Sequence, residues 1–162
     1  MVEFREKLRN ALIKHYDFIK SKHNDIYAYS LYTDSSLCSI GPVFNCESDL
    51  KVQKSEDLYN YYRYGAVEWN HYEDFGIFDE VNNLLIEIMN CDHPEWSERR
   101  SKVLENCLEV LCSLENHDFF GPKNSDRFVV ICIPDSDDPI MDKSAKLLNS
   151  ETNYNLYSKE FS

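Results

Sequence analysis

With 29 acidic against 17 basic side chains in 162 residues and a net charge of −12, this chain has the length of one domain and a field that repels phosphate polymers and anionic membranes. Its 43% hydrophobic and 14% aromatic content excludes a disordered acidic chain, which would lack the side chains to build a core. The charge is unevenly spread: residues 1–23 hold six bases and three acids, whereas residues 24–162 hold 11 bases and 26 acids.

In chain order, Phe4, Leu8, Ala11, Leu12, Tyr16 and Ile19 recur at spacings of three and four, which predicts an amphipathic helix over residues 2–22 with its basic side chains on the wet face. Ile26 to Tyr32 and Leu37 to Phe44 are apolar runs around the polar residues Thr33 to Ser36, the pattern of a hairpin. Gly41 and Pro42 interrupt the second run, and because Pro cannot donate to a ladder that strand is expected at an edge or bulged. Cys46 to Asp57 reads as a loop or short helix leading into the aromatic stretch Tyr59 to Tyr72. Val81, Leu84, Leu85, Ile88 and Met89 mark a helix, and Pro94 suits the first position of the next, whose buried stripe is Leu104, Cys107, Leu108 and Leu111. Phe128 to Ile133 is an unbroken apolar run of strand length, expected as a central strand covered on both faces. Asp138 and Pro139 open a last short helix carrying Ile140, Leu147 and Leu148, after which the chain from about residue 150 is expected to be a loose tail.

This order of elements predicts one α+β domain over residues 1–162, with helices packed on an antiparallel or mixed sheet. No apolar run approaches the roughly 20 residues of a membrane span and the first helix lacks an apolar signal core, so a cytoplasmic protein, monomeric or dimeric, is expected. The six Cys include no CxxC pair, and Cys107 and Cys112 fall in a helical segment, so all six read as reduced thiols.

Few residues carry chemistry. Asp135, Asp137 and Asp138 follow the strand at Phe128, where carboxylates could hold a divalent cation, although an acidic turn capping the next helix explains them equally. Cys91 and His93, with His71 and His117 elsewhere, lack the paired short spacing of a structural zinc site and read as a turn between helices. No GxGxxG, Walker or GxSxG motif occurs, so neither a nucleotide nor any other cofactor is expected. The densest aromatic group is Tyr59, Tyr61, Tyr62, Arg63, Tyr64, Glu68, Trp69 and Tyr72, followed by Glu73 and Asp74. Tyr, Trp and Arg are the residues of binding hot spots, and the acids around them disfavour nucleic acid. Tyr62, Arg63, Tyr64, Glu68, Trp69, Tyr72, Glu73 and Asp74 are therefore the candidate partner-binding residues, with an interior position for many of the rings as the alternative.

Four strings in this order, IYAYSLYTD at 26–34, SIGPVFN at 39–45, YRYGAVEW at 62–69 and SAKLLN at 144–149, resemble the bacterial family catalogued as domain of unknown function 4303. The resemblance implies the family's fold and supplies no catalytic residue. In size and acidity the family resembles immunity proteins of polymorphic-toxin systems. The expected function is thus an acidic binding protein that neutralises a basic toxin domain, with a small metal-dependent enzyme built on Asp135, Asp137 and Asp138, or a generic interaction module, as alternatives.

Overall fold

The computed structural model of the chain describes residues 1–89 and 95–161. The expected helix start at Pro94 and the Cys91 and His93 pair lie outside these residues. Helix α1 (Val2–Lys20) buries Phe4, Leu8, Leu12, Tyr16 and Ile19, the stripe that the spacing predicts. Strands β1 (Ile26–Thr33) and β2 (Ile40–Cys46) form the expected antiparallel hairpin. The Asp34 carboxylate shapes its turn by accepting the N–H groups of Ser36 at 2.7 Å and Cys38 at 3.1 Å. That turn holds Leu37 at φ 53, a conformation costly for a side chain with a Cβ, and the burial of the Leu37 side chain offsets the strain.

The chain continues through α2 (Tyr59–Tyr64), α3 (Asp79–Met89), α4 (Trp96–Glu115), β3 (Phe128–Cys132), α5 (Pro139–Leu148) and α6 (Glu151–Phe161). Strand order is β2-β1-β3, antiparallel between β1 and β2 and parallel between β1 and β3, so the sheet is mixed and the fold is α+β. Alternate residues feed two cores. Tyr29, Leu31, Phe44, Val129 and Ile131 pack with α1, α3 and α4, while Tyr27, Val43, Phe128 and Val130 pack with Tyr64, Trp69 and Tyr157 on the other face. Pro42 sits on edge strand β2, as expected. Two residues on, the N–H and C=O of Phe44 turn outward to His71, so the N–H that Pro42 lacks is one that β1 would not have used.

Three expectations are corrected. The central strand is β1, not the Phe128 run, which lies at the sheet edge. It is nevertheless buried, because α5 seals its outer side: the N–H of Val129 donates to Asn149 Oδ1 (2.7 Å), that of Ile131 to Ser144 Oγ (2.9 Å) and that of Ile133 to Met141 Sδ (3.2 Å). Asn149 also donates to the Val129 carbonyl at 2.6 Å, so its amide pairs with the strand as a peptide group would. The second correction concerns the residues after 150, which form helix α6 instead of a loose tail. Asn153 anchors it by donating to the Arg127 carbonyl at 2.7 Å, and Tyr157 enters the second core. Leu147, expected inside, faces solvent.

His15 ties α1 to the chain beyond the aromatic stretch. It is fully buried, with Nδ1 3.0 Å from the Tyr29 hydroxyl and Nε2 3.0 Å from the Glu73 carbonyl. The carbonyl can only accept, so Nε2 carries the proton and Nδ1 accepts from Tyr29. Burial lowers the pKa of this imidazole, outweighing the Glu73 carbonyl and the Asp74 and Glu73 charges. In the unfolded chain the ring titrates near its ordinary value of about 6.5, so below that pH the unfolded state binds the extra proton. The expected result is a midpoint of thermal unfolding that falls as pH drops from about 7 to about 5, with the slope reduced in His15→Gln. An unchanged slope in that variant would assign the acid sensitivity elsewhere.

Candidate functional site

Because β1 and β3 run parallel, their carboxyl ends lie at the same end of the sheet, the position at which open sheets with parallel strands leave a crevice. A cavity of about 190 Å³ opens there. Tyr64, Ala66 and Val67 form one wall, and Cys132, Pro134 and Asp135 form the other. The first wall follows from local sequence. Helix α2 ends at Gly65, and a short 3-10 turn over Ala66–Glu68 turns the chain back toward Trp69. A Cβ on Gly65 would sit 2.7 Å from the Tyr61 carbonyl and 3.1 Å from the Phe161 ring, so the glycine of YRYGAVEW is what lets α6 close on this wall. The second wall begins where β3 ends, and Asp135 takes the left-handed conformation (φ 51) that Asp tolerates better than most residues.

The rim carries exposed apolar groups. Val67 is 41% exposed, Phe161 38% and Tyr72 47%, and Tyr72 is joined to the rim by donating its hydroxyl to the Val67 carbonyl at 3.1 Å and by an edge contact with Tyr32 at 5.7 Å. Asp135, Asp137 and Glu73 face solvent nearby in the chain and make no ion pair among the described residues. Burial pushes the Cys132 thiol up to about 12, the opposite of what a nucleophilic cysteine needs. The cavity is smaller than the usual 300–1,000 Å³ of a small-molecule site, and its lining is mostly apolar.

The predicted binding residues are only partly brought together. Tyr64 is 3% exposed and Trp69 2% exposed; their rings pack edge-on against Phe128 at 4.9 and 6.5 Å, so neither can be an exposed anchor. Arg63 is buried with its guanidinium 4.4 Å from the Tyr27 ring centroid, and it pairs with both oxygens of Glu47 (3.0 and 2.8 Å). It does not pair with Glu68, which accepts from the Tyr61 hydroxyl. Tyr62 and Glu68 line a separate, more polar hollow with Asp49 and Asn70. Asp74 caps its own turn by accepting the Gly76 N–H at 3.0 Å. Tyr72 and Glu73 are the predicted residues left at the surface. No motif marks Val67, Phe161 or Cys132; Val67 lies inside the YRYGAVEW string, but nothing in the sequence places Phe161 beside it.

The Asp cluster does not gather around a common point: among the described residues its ligand oxygens form no set close enough to hold a metal. Asp138 instead caps α5, accepting the Ile140 N–H at 3.0 Å, and accepts from Arg100 at 2.5 Å. A metal-dependent enzyme built on Asp135, Asp137 and Asp138 is therefore not supported by their placement.

The family model described as "Domain of unknown function (DUF4303)" matches residues 6–150. The chain belongs to that family. The match takes in both walls of the cleft and β3 with its seal at Asn149, while Phe161 on the rim lies beyond it. No curated protein and no solved structure matches the chain. Among the described residues, no helix of this DUF4303 member is long and apolar enough to cross a membrane.

Proposed function

We propose that this DUF4303 member is a protein-binding domain that neutralises a basic toxin domain by direct contact, in the manner of a cytosolic immunity protein, and that the cleft beneath Val67, Tyr72 and Phe161 receives an apolar side chain of that partner. The observation that carries the reading is the pairing of this half-open apolar cleft with the strong acidic excess beyond residue 23. Exposed carboxylates accelerate the encounter with a basic surface, and a desolvated ring in a pocket slows its departure.

The test is the kinetics of binding to a basic toxin-like domain sought among the products encoded beside this chain's gene; finding no such binder there would count against the reading. Association is expected to slow as salt rises, since exposed charges are screened over about 8 Å at physiological ionic strength, while dissociation changes little. Tyr72→Ala is expected to speed dissociation at a cost of roughly 2 kcal/mol. Glu73→Lys and Asp135→Asn are expected to act chiefly on association. Salt-independent association, or a Tyr72→Ala variant that binds as the parent does, would remove the cleft from the interface.

A further inference from the structure

A second constellation, apart from the cleft, lies at the open end of the β1–β2 hairpin. Cys46 closes β2, and Asp49 ends the short 3-10 turn that follows. Thiol and carboxylate thus come from a Cys-x-x-Asp loop, the short spacing by which metal-binding turns present two ligands at once. His71 arrives from across the outer edge of β2. Its backbone exchanges hydrogen bonds with Phe44 in both directions, at 3.0 and 3.3 Å, and its ring stacks on Phe44 with centroids 4.5 Å apart and planes 11° apart. The imidazole is therefore fixed in place, with Nε2 2.8 Å from the Asp49 carboxylate. One ligand atom from each of Cys46, Asp49 and His71 lies within 4.8 Å of the other two.

We propose that Cys46, Asp49 and His71 bind a divalent cation of the zinc class. One sulfur, one nitrogen and one oxygen donor suit a borderline-soft ion and disfavour magnesium and calcium, which take oxygen ligands. Bonds of about 2.0–2.3 Å to a tetrahedral ion set the donors roughly 3.3–3.8 Å apart, so side-chain rotation of about an ångström completes the site. As the metal bonds form, the thiol proton leaves to solvent; the proton that His71 Nε2 shares with Asp49 is also released and one is taken up at Nδ1, so a neutral imidazole ligates through Nε2 while thiolate plus carboxylate balance the dication. His23, whose ring centroid is 5.1 Å from that of His71, offers a further nitrogen donor for a fourth position. The supports are also present: Asp25 accepts the Ser48 N–H at 2.9 Å and Asp49 accepts the Cys46 N–H at 3.3 Å, which holds the ligating turn. The His71 and Asp49 side chains are 24% and 29% exposed while Cys46 is buried, so the ion has both an entry path and a dry side. This assignment does not depend on the protein-binding reading.

The test uses the full chain without a histidine tag, titrated with zinc chloride and, as a spectroscopic substitute, cobalt(II) chloride. One equivalent of zinc is expected to bind, and the cobalt form should show tetrahedral visible bands with a sulfur-to-metal charge-transfer band. Cys46→Ser should abolish that band and Cys132→Ser should leave it. Asp49→Asn and His71→Gln should each weaken zinc binding by at least the 10–100-fold typical of losing a supporting group. If Cys46→Ser does not fold, as judged by circular dichroism, the near-isosteric Asp49→Asn decides. Lack of stoichiometric binding at micromolar zinc, affinity unchanged in Asp49→Asn, or displacement by equimolar magnesium would each overturn the assignment.

Discussion

Replacing Asn149 by Ala is expected to lower the thermal midpoint by about 6–12 °C. The side chain accepts the Val129 N–H and donates to the carbonyls of Val129 and Ala145, all in a buried setting. Ala leaves the outward N–H and C=O of a buried edge strand without partners, at about 1–3 kcal/mol for each unsatisfied group. A combined loss of about 3 kcal/mol is large against a total stability of roughly 5–15 kcal/mol, and in a chain of this length each kcal/mol moves the midpoint by about 2–4 °C. Asn149→Asp tests the same contact differently. The carboxylate keeps an acceptor for Val129 but loses both donated bonds and buries a charge, so it should be at least as damaging at neutral pH. An unaltered midpoint in Asn149→Ala would mean that the β3 edge is held by Ser144 and packing alone.

The second large effect is on Trp69. Its ring lies between Tyr27 and Phe128 in the second core, and Nε1 donates to the Arg63 carbonyl at 3.3 Å. Trp69→Ala should therefore cost about 3–5 kcal/mol in stability, the usual range for deleting a large buried aromatic. The measurement that separates this from a binding role is made with Trp69→Phe at a temperature where both proteins are folded. Stability should fall while the dissociation rate from a bound partner stays near the parent's. Tyr72→Ala should show the converse, faster dissociation with little change in midpoint, since substitutions at exposed positions usually stay within about 0.5 kcal/mol. A dissociation rate that rises in Trp69→Phe with an unchanged midpoint would restore Trp69 to the interface.

The split between Trp69 and Tyr72 explains why the aromatic stretch misled. Tyr, Trp and Arg are favoured at hot spots because they combine large area with a polar tip, and they are favoured in aromatic cores for the same reason. Composition cannot separate these uses. Direction can, and here it is set by the turn at Gly65 and the short 3-10 segment after it, which aim Tyr64 and Trp69 at Phe128 and leave Val67 and Tyr72 outside.

Features that depend on local periodicity and residue chemistry are legible along the chain. The stripe of α1, the hairpin, the edge position of the strand containing Pro42 and the Asp138 cap of α5 all follow from side-chain spacing or from one residue's missing or available hydrogen-bonding group. Features that depend on partners distant in the chain emerge once the chain has folded. The Phe128 run has the apolar character of a central strand because both of its faces and its edge are covered, yet what covers the edge is Ser144 and Asn149 from a helix, a pairing no periodicity encodes. Helix α6 has a weak apolar stripe and is held by Asn153 and Tyr157 reaching back to β3 and the second core, so its order comes from contacts instead of propensity. The cleft and the Cys46, Asp49 and His71 cluster share that origin. Each is assembled from segments separated by more than 20 residues, and only the closing of the chain on its sheet brings their atoms within reach.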